Sequence, residues 1–174
     1  WCKSVEAAKA GLQATLVIRH PQNPRMWANF DPEILQLVRE SKCLVRLGVE
    51  VPENAKMVLM QDEKFKGYYG HLMFTLKEYE RVVGRVNPVI KALLQFHLED
   101  LERRLEPGLT TITWTSMHIE KFLADVDHGI FKLDDLVTKM NDIIENRIEN
   151  NLKIISRTML VDLDEDKFPF VVDD

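Results

Sequence analysis

The sequence predicts a mainly α protein, an elongated antiparallel bundle of long helices with one small β-hairpin near its N-terminus. Apolar residues recur at alternating spacings of four and three over residues 119–144 and again over residues 65–86. This is the heptad pattern of helices that pack side by side. Residues 13–30 instead show alternating, β-branched segments on either side of a proline-containing stretch, which is typical of a hairpin. Two strands alone are marginally stable, so the hairpin is expected to pack against helices.

A helix is predicted over residues 31–48. Asp31 suits the N-cap position, because its carboxylate can accept a hydrogen bond from a free backbone N–H. Pro32 suits the first turn, where its missing N–H costs no helical hydrogen bond. Glu33 suits the same turn because the positive end of the helix dipole favours an acid. Gly48 is the expected stop. The predicted buried face consists of Ile34, Leu37, Val38 and Val45.

A long helix is predicted over residues 52–86, followed by a shorter one over 88–106. The seam of the long helix contains Phe65, Tyr69, Leu72, Leu76, Tyr79, Val83 and Val86. Pro88 separates the two helices because the residue before a proline disfavours helical backbone. Pro107 and Gly108 then predict a turn into an extended segment over residues 107–115.

The last predicted helix covers residues 116–160, with Ser116 or Thr115 as its N-cap, and an acidic loop and exit over 161–174 follow. At 1.5 Å per residue this helix would be about 65 Å long. Its seam comprises Ile119, Leu123, Val126, Ile130, Leu133, Val137, Met140 and Ile144, continued by Ile148, Leu152, Ile155 and Met159. The extra step of four between Ile144 and Ile148 is a stutter, which predicts local unwinding.

The two long seams predict that the helix over 65–86 packs along the helix over 119–144. The antiparallel sense is favoured, although the connection between them also permits a parallel arrangement. Apolar residues outside the internal seam, Leu136, Ile143 and Ile154, form the candidate partner-binding face within residues 134–157. Their truncation is expected to leave the fold intact and weaken partner binding.

Composition restricts the possible partners. The formal net charge of -5 and the interleaving of acids with bases disfavour nucleic-acid binding, and no apolar run is long enough to predict a membrane span. Cys2 and Cys43 lack CxxC spacing, which favours a reduced, intracellular setting. The chain begins at Trp1 without an initiator methionine, so residues 1–174 are expected to be a single fragment of a longer protein.

Reactive motifs are nearly absent, so we predict no catalytic, cofactor or metal site. Neither a phosphate-binding loop nor HExxH nor GxSxG occurs. Asp125 and His128 are interpreted as a solvated helix face, and the Asp162-x-Asp164-x-Asp166 rhythm lacks the glycine of a calcium loop. His97 is interpreted as a hydrogen-bonded core residue. Trp114 is expected to fill a junction between elements, with a role as a recognition anchor as the alternative.

Several segments resemble the N-terminal tail, or stem, of dynein heavy chains. The resemblance is carried by Leu16-Val17-Ile18-Arg19 through Asn29-Phe30-Asp31-Pro32-Glu33-Ile34-Leu35, by Arg39-Glu40-x-Lys42-x-Leu44, and by Leu105-x-Pro107-Gly108 to Thr113-Trp114-Thr115-Ser116. Glu145-Asn146-Arg147-Ile148-Glu149 and the run from Ser156 to Asp162 are similar to the axonemal, outer-arm branch.

This resemblance implies a non-catalytic structural role in a microtubule motor whose ATPase ring lies outside the chain. It implies intermediate chains, light chains and other heavy chains as partners in a large complex, located in the cytoplasm and cytoskeleton, at the axoneme of a cilium or flagellum. The alternative is a generic helical binding module of another cytoskeletal or trafficking protein. An all-α enzyme is disfavoured because no convergent polar site is visible.

Overall fold

The computed structural model describes residues 10–22, 25–60 and 62–162. The predicted hairpin is confirmed. Strand β1 (Val17–Arg19) pairs antiparallel with β2 (Met26–Ala28), with Ile18 opposite Trp27. Of the predicted exit over 161–174, residues 161–162 are helical and the remainder lies outside the described residues.

Helix α1 (Pro32–Arg46) begins and ends as its local sequence predicts. The Asp31 side chain accepts a hydrogen bond from the Glu33 N–H at 2.9 Å, and Gly48 has a φ of 74° beyond the C-terminus. That left-handed conformation lets Val49 donate to the carbonyl of Leu44 at 3.0 Å.

The predicted buried face of α1 is right at three positions and wrong at one. Ile34, Leu37 and Val38 are buried, but Val45 is 52% exposed. Ser41 is the last buried residue of the helix, and Val45 lies one turn beyond it. The periodicity places Val45 on the correct face, but the core ends before that turn.

The segment predicted as one long helix is helical over Glu53–Met60 (α2) and Asp62–Gly84 (α3), and residue 61 between them lies outside the described residues. Helix α4 follows over Pro88–Thr110, and Asn87 caps it by accepting a hydrogen bond from the Val89 N–H at 3.0 Å.

The prediction of an extended segment over 107–115 is wrong at its start, because α4 continues through Pro107 and Gly108 to Thr110. Pro107 has no N–H and so cannot donate a helical hydrogen bond to the preceding turn, but its own carbonyl still accepts hydrogen bonds from the following turn. Thr111 and Ile112 both donate their N–H groups to the Pro107 carbonyl, at 2.9 and 2.8 Å. A proline in the last turn of a helix therefore does not end it here.

Helix α5 (Ile119–Asp142) continues through a π-helical segment (Ile143–Glu149) into α6 (Asn150–Asp162). The predicted N-cap is wrong: His118 occupies that position without a side-chain hydrogen bond, and the Ser116 hydroxyl accepts from the Thr113 N–H instead. The wider π turns lie where the sequence places the stutter, as expected if an extra residue is accommodated locally.

Helices α3, α4 and α5 form an up-down-up bundle with one hydrophobic core. As predicted, α3 packs along α5. Helices α4 and α5 are antiparallel, since Gly108 late in α4 faces Phe122 early in α5. Helices α3 and α5 are parallel: Tyr68 contacts Glu120 near their N-termini, and Arg85, just beyond α3, contacts Asp134 toward the C-terminus of α5. The favoured antiparallel sense for this pair is therefore wrong. The chain reverses direction between α3 and α4 and again between α4 and α5, so α3 and α5 run the same way.

Candidate functional site

Trp114 joins the hairpin to the helical bundle. Its side chain is 1% exposed, its ring lies edge-on to Phe30 with centroids 4.9 Å apart, and its Nε1–H donates to the Asn29 carbonyl at 2.6 Å. The Tyr69 ring of α3 completes the aromatic group, with its centroid 6.5 Å from that of Trp114. Trp114 therefore fills a junction, as predicted, and is too buried to be a recognition anchor.

A row of polar contacts joins α3 and α5 outside their apolar seam. The Thr75 hydroxyl donates to Asp127 at 2.7 Å, and His71 Nε2 lies 2.6 Å from the same carboxylate. Further along, Arg81 of α3 binds Asp134 at 3.1 Å, and Arg85, just beyond the end of α3, binds the same carboxylate at 2.6 Å. These contacts recur at increasing residue numbers on both helices, so they fix the parallel register as well as the pairing.

Two glycines set the approach of α4 and α5. A Cβ added to Gly108 would lie 2.4 Å from Cζ of Phe122, and one added to Gly129 would lie 2.9 Å from the Arg104 side chain. Gly108, read from sequence as a turn residue, is instead a contact point between helices.

A buried tyrosine and an ion pair tie β1 to the bundle. Glu102 of α4 accepts hydrogen bonds from both the Tyr79 hydroxyl and the Arg19 guanidinium. Burial and the Glu102 carboxylate raise the pKa of Tyr79 above its ordinary value. A tyrosine hydroxyl is protonated at neutral pH, and the raised pKa keeps Tyr79 a donor to more alkaline pH, so the cluster serves as a structural link.

The π segment and α6 extend beyond the bundle, and we call residues 143–162 the extension. Every side chain from position 145 to position 158 is exposed. Large apolar side chains are among them: Ile148, Leu152, Ile154 and Ile155. Such a run of exposed apolar residues on one helix is characteristic of a protein-binding surface.

The residues considered for chemistry do not converge on a reactive centre. Asp125 forms an ion pair with Arg104 and His128 is exposed, while His97 is half-buried against the Phe96 ring, so its predicted place in the core is wrong. Over residues 10–22, 25–60 and 62–162, no group of three His, Cys, Asp or Glu side chains is arranged to hold a metal ion. The Asp164 and Asp166 carboxylates of the calcium-like rhythm lie outside the described residues.

Comparison with known proteins identifies the family. A family model described as dynein heavy chain, N-terminal region 1, matches residues 1–122. The chain belongs to this dynein heavy chain family. The N-terminal region is a non-catalytic part of a dynein heavy chain, and this membership sets aside the alternative of an unrelated helical binding module.

Axonemal and flagellar dyneins are among the relatives of this heavy-chain segment. The dynein gamma chain of the flagellar outer arm from Chlamydomonas reinhardtii is 45% identical over 167 residues, which cover 96% of this chain and 4% of the relative. Dynein axonemal heavy chain 8 from Mus musculus is 36% identical over 95% of this chain and 4% of its own length. The dynein-1-alpha heavy chain of the flagellar inner arm I1 complex from Chlamydomonas reinhardtii is 32% identical over 80% of this chain and 3% of its own length.

The chain thus spans about one twenty-fifth of the length of the first two of these relatives. Identity is higher to the outer-arm gamma chain than to the inner-arm chain, in agreement with an outer-arm type. The flagellar and axonemal relatives support a cytoskeletal location in the axoneme of a cilium or flagellum.

The three residues of the predicted partner-binding face lie in different environments in this dynein segment. Leu136 is half-buried and packs partly against the core. Ile143 is 40% exposed and Ile154 is 61% exposed. The sequence missed Leu152 and Ile155 as surface residues because their heptad spacing assigned them to an internal seam.

None of the helices in the described part of this dynein segment combines the length and the apolar character that crossing a bilayer demands.

Proposed function

We propose that this chain is a structural segment of the tail of an axonemal outer-arm dynein heavy chain and that it scaffolds assembly of the motor complex. The ATPase ring lies elsewhere in the parent heavy chain. In this proposal the bundle supplies a rigid body and the extension supplies a surface for other subunits, namely intermediate chains, light chains or other heavy chains.

The observation that carries the proposal is the exposure of the extension. Leu152, Ile154 and Ile155 each expose more than half of their side chains, although burying such a side chain is worth about 1.5–3 kcal/mol. Ile143 continues the apolar surface toward the bundle. Contact with a partner would recover this unused stabilisation. Acidic and basic residues interleave with the apolar ones, and these charges are suited to orienting an approaching subunit.

The test is capture of axonemal dynein intermediate chains by the 174-residue chain. The triple variant Leu152→Ala, Ile154→Ala and Ile155→Ala should bind about ten-fold or more weakly, because alanine removes most of the apolar contact area. Its melting temperature should be unchanged, because these side chains contribute nothing to the core.

A control variant removes three apolar side chains of α4 that are at least as exposed: Val89→Ala, Leu93→Ala and Phe96→Ala. This control should retain wild-type capture. Undiminished capture by the extension variant, or equal loss in both variants, would remove the extension as the docking surface for intermediate chains.

A further inference from the structure

Strand β2 is an edge strand beside an open groove. Within the described residues the sheet has two strands. The chain just before β1 forms an isolated bridge between Thr15 and Thr113, and α4 packs against β1 itself. No strand of the described chain lies on the far side of β2. An unpaired strand edge is a template for an additional strand.

The register shows which backbone groups of β2 form no hydrogen bond with β1. His20 donates to the Arg25 carbonyl at 3.1 Å and Asn29 donates to the Leu16 carbonyl at 2.8 Å, so the intermediate pair of Ile18 and Trp27 is also hydrogen-bonded. The N–H and C=O groups of Met26 and Ala28 consequently point away from β1.

A groove of about 590 Å³ lies between β2 and α3. Side chains from both faces of β2 line it, the buried Met26 and the exposed Trp27, and no β1 residue does, so it runs along the unpaired edge of β2. Its apolar lining includes side chains that are substantially exposed: Trp27, Met73 and Phe74. Aromatic residues and methionine are enriched in protein interfaces, and methionine adapts its shape to different partners. The groove therefore pairs free backbone groups with an apolar wall.

We propose that this groove binds an extended segment of another protein, which adds to β2 as a third strand. Alternate side chains of the added strand face α3, where apolar ones contact Met73 and Phe74. Backbone hydrogen bonds to Met26 and Ala28 supply affinity, and the side-chain contacts supply specificity.

The charges at the groove favour an acidic residue in the bound segment. Arg25 and Glu80 form an ion pair at 3.6 Å across one end of the groove. Lys77 also lines the groove, one helical turn from both Met73 and Glu80, and it has no hydrogen-bond or ion-pair partner among the residues the structure describes. A carboxylate on the bound strand would give this ammonium group a partner.

A single extended strand fits this site better than a second folded copy of the chain. Helix α3 runs beside β2, so a second copy would bring its own α3 into the space next to the same edge. The site also differs from the extension, because no residue of β2 or α3 belongs to residues 143–162.

The probe for the test is a dye-labelled heptapeptide, Thr-Val-Thr-Asp-Thr-Val-Thr, which places two valines and one aspartate on the same face. Fluorescence anisotropy with the 174-residue chain should show saturable binding. The same peptide with lysine in place of aspartate should bind about ten-fold more weakly.

Backbone pairing is tested with two further peptides, one N-methylated at odd positions and one at even positions. Only one edge of the peptide pairs with β2, so one form should lose binding and the other should retain it. In amide exchange, Met26 and Ala28 should become protected on peptide binding while Trp27 remains unchanged.

Phe74→Glu should weaken binding about ten-fold or more, whereas Phe131→Glu, an exposed position on α5, should not change it. The alanine variants of the extension should also bind the peptide normally, which separates this proposal from the proposed function. Equal binding of both N-methylated peptides, unprotected Met26 and Ala28 amides, equal effects of the two glutamate variants, or dimerisation of the chain through the groove would each overturn it.

Discussion

Single glycines determine how closely α4 and α5 approach. At Gly108 the Phe122 ring occupies the position of a side chain, whereas at Gly67 in α3 nothing lies within 4 Å of the position of an added Cβ. The same substitution therefore has opposite consequences at these two helical positions. The sequence does not distinguish them, because the difference lies in the facing helix.

Gly108→Ala should destabilise the chain and Gly67→Ala should stabilise it. Alanine gains up to about 1 kcal/mol of helix propensity at both positions. At Gly108 the buried Phe122 ring must move, and overpacking of this kind costs about 1–3 kcal/mol, so we expect a net loss. Urea unfolding of both variants at an unchanged m-value is the measurement. Stabilisation by both substitutions would contradict this account of the α4–α5 contact.

At the scale of elements, the pairing of α3 with α5 depends on two buried seams and a row of polar contacts. Leu76 of α3 and Leu133 of α5 are both buried, while Phe131, two residues from Leu133, is 75% exposed. Residues two apart on a helix face different directions, so the seam and the outer face can be tested side by side.

Leu133→Asp should cost at least about 3 kcal/mol, because it introduces a carboxylate into the core without a partner. Leu76→Asp should behave alike, whereas Phe131→Asp should change stability by no more than about 0.5 kcal/mol. Thermal unfolding followed by circular dichroism compares the three. An unchanged melting temperature for Leu133→Asp would mean that the seam is not buried.

Periodicity predicts which helices pair, but not their direction or where they end. The seams over 65–86 and 119–144 identify α3 and α5 as neighbours. Their parallel sense arises because α4 stands between them in the chain and runs antiparallel to both. Pro107 was expected to end α4, but Pro107 accepts hydrogen bonds from the following residues and the helix continues. These outcomes depend on tertiary packing and hydrogen-bond geometry that local patterns do not encode.

Periodicity also predicts only some of the residues on the candidate surfaces. Ile143 and Ile154 could be predicted as surface residues because they lie outside the heptad seam. Leu136 also lies outside it but is half-buried against the bundle, and Leu152 lies within it but is exposed. The edge of β2 was not predicted, because a sequence shows that a strand exists but not which side remains unpaired.

At the scale of the whole molecule, a packed bundle is continuous with a helix that has no packing of its own. Helix α5 buries Val126, Leu133 and Val137, but the side chains at positions 145–158 are all exposed. An unpacked helix of this length is marginal in water, although α5 supplies its nucleus. Stability is therefore expected to decrease along the extension.

Native-state hydrogen exchange should reveal this gradient. Amides at Val126–Val137 of α5 should exchange only with global unfolding, and protection should fall progressively from residue 145 to residue 158, because the extension opens without disturbing the core. The expected result is independent of protein concentration. Uniformly high protection through residue 158 in dilute solution would show that the extension is stabilised within the isolated chain. Its apolar side chains would then be satisfied without another subunit.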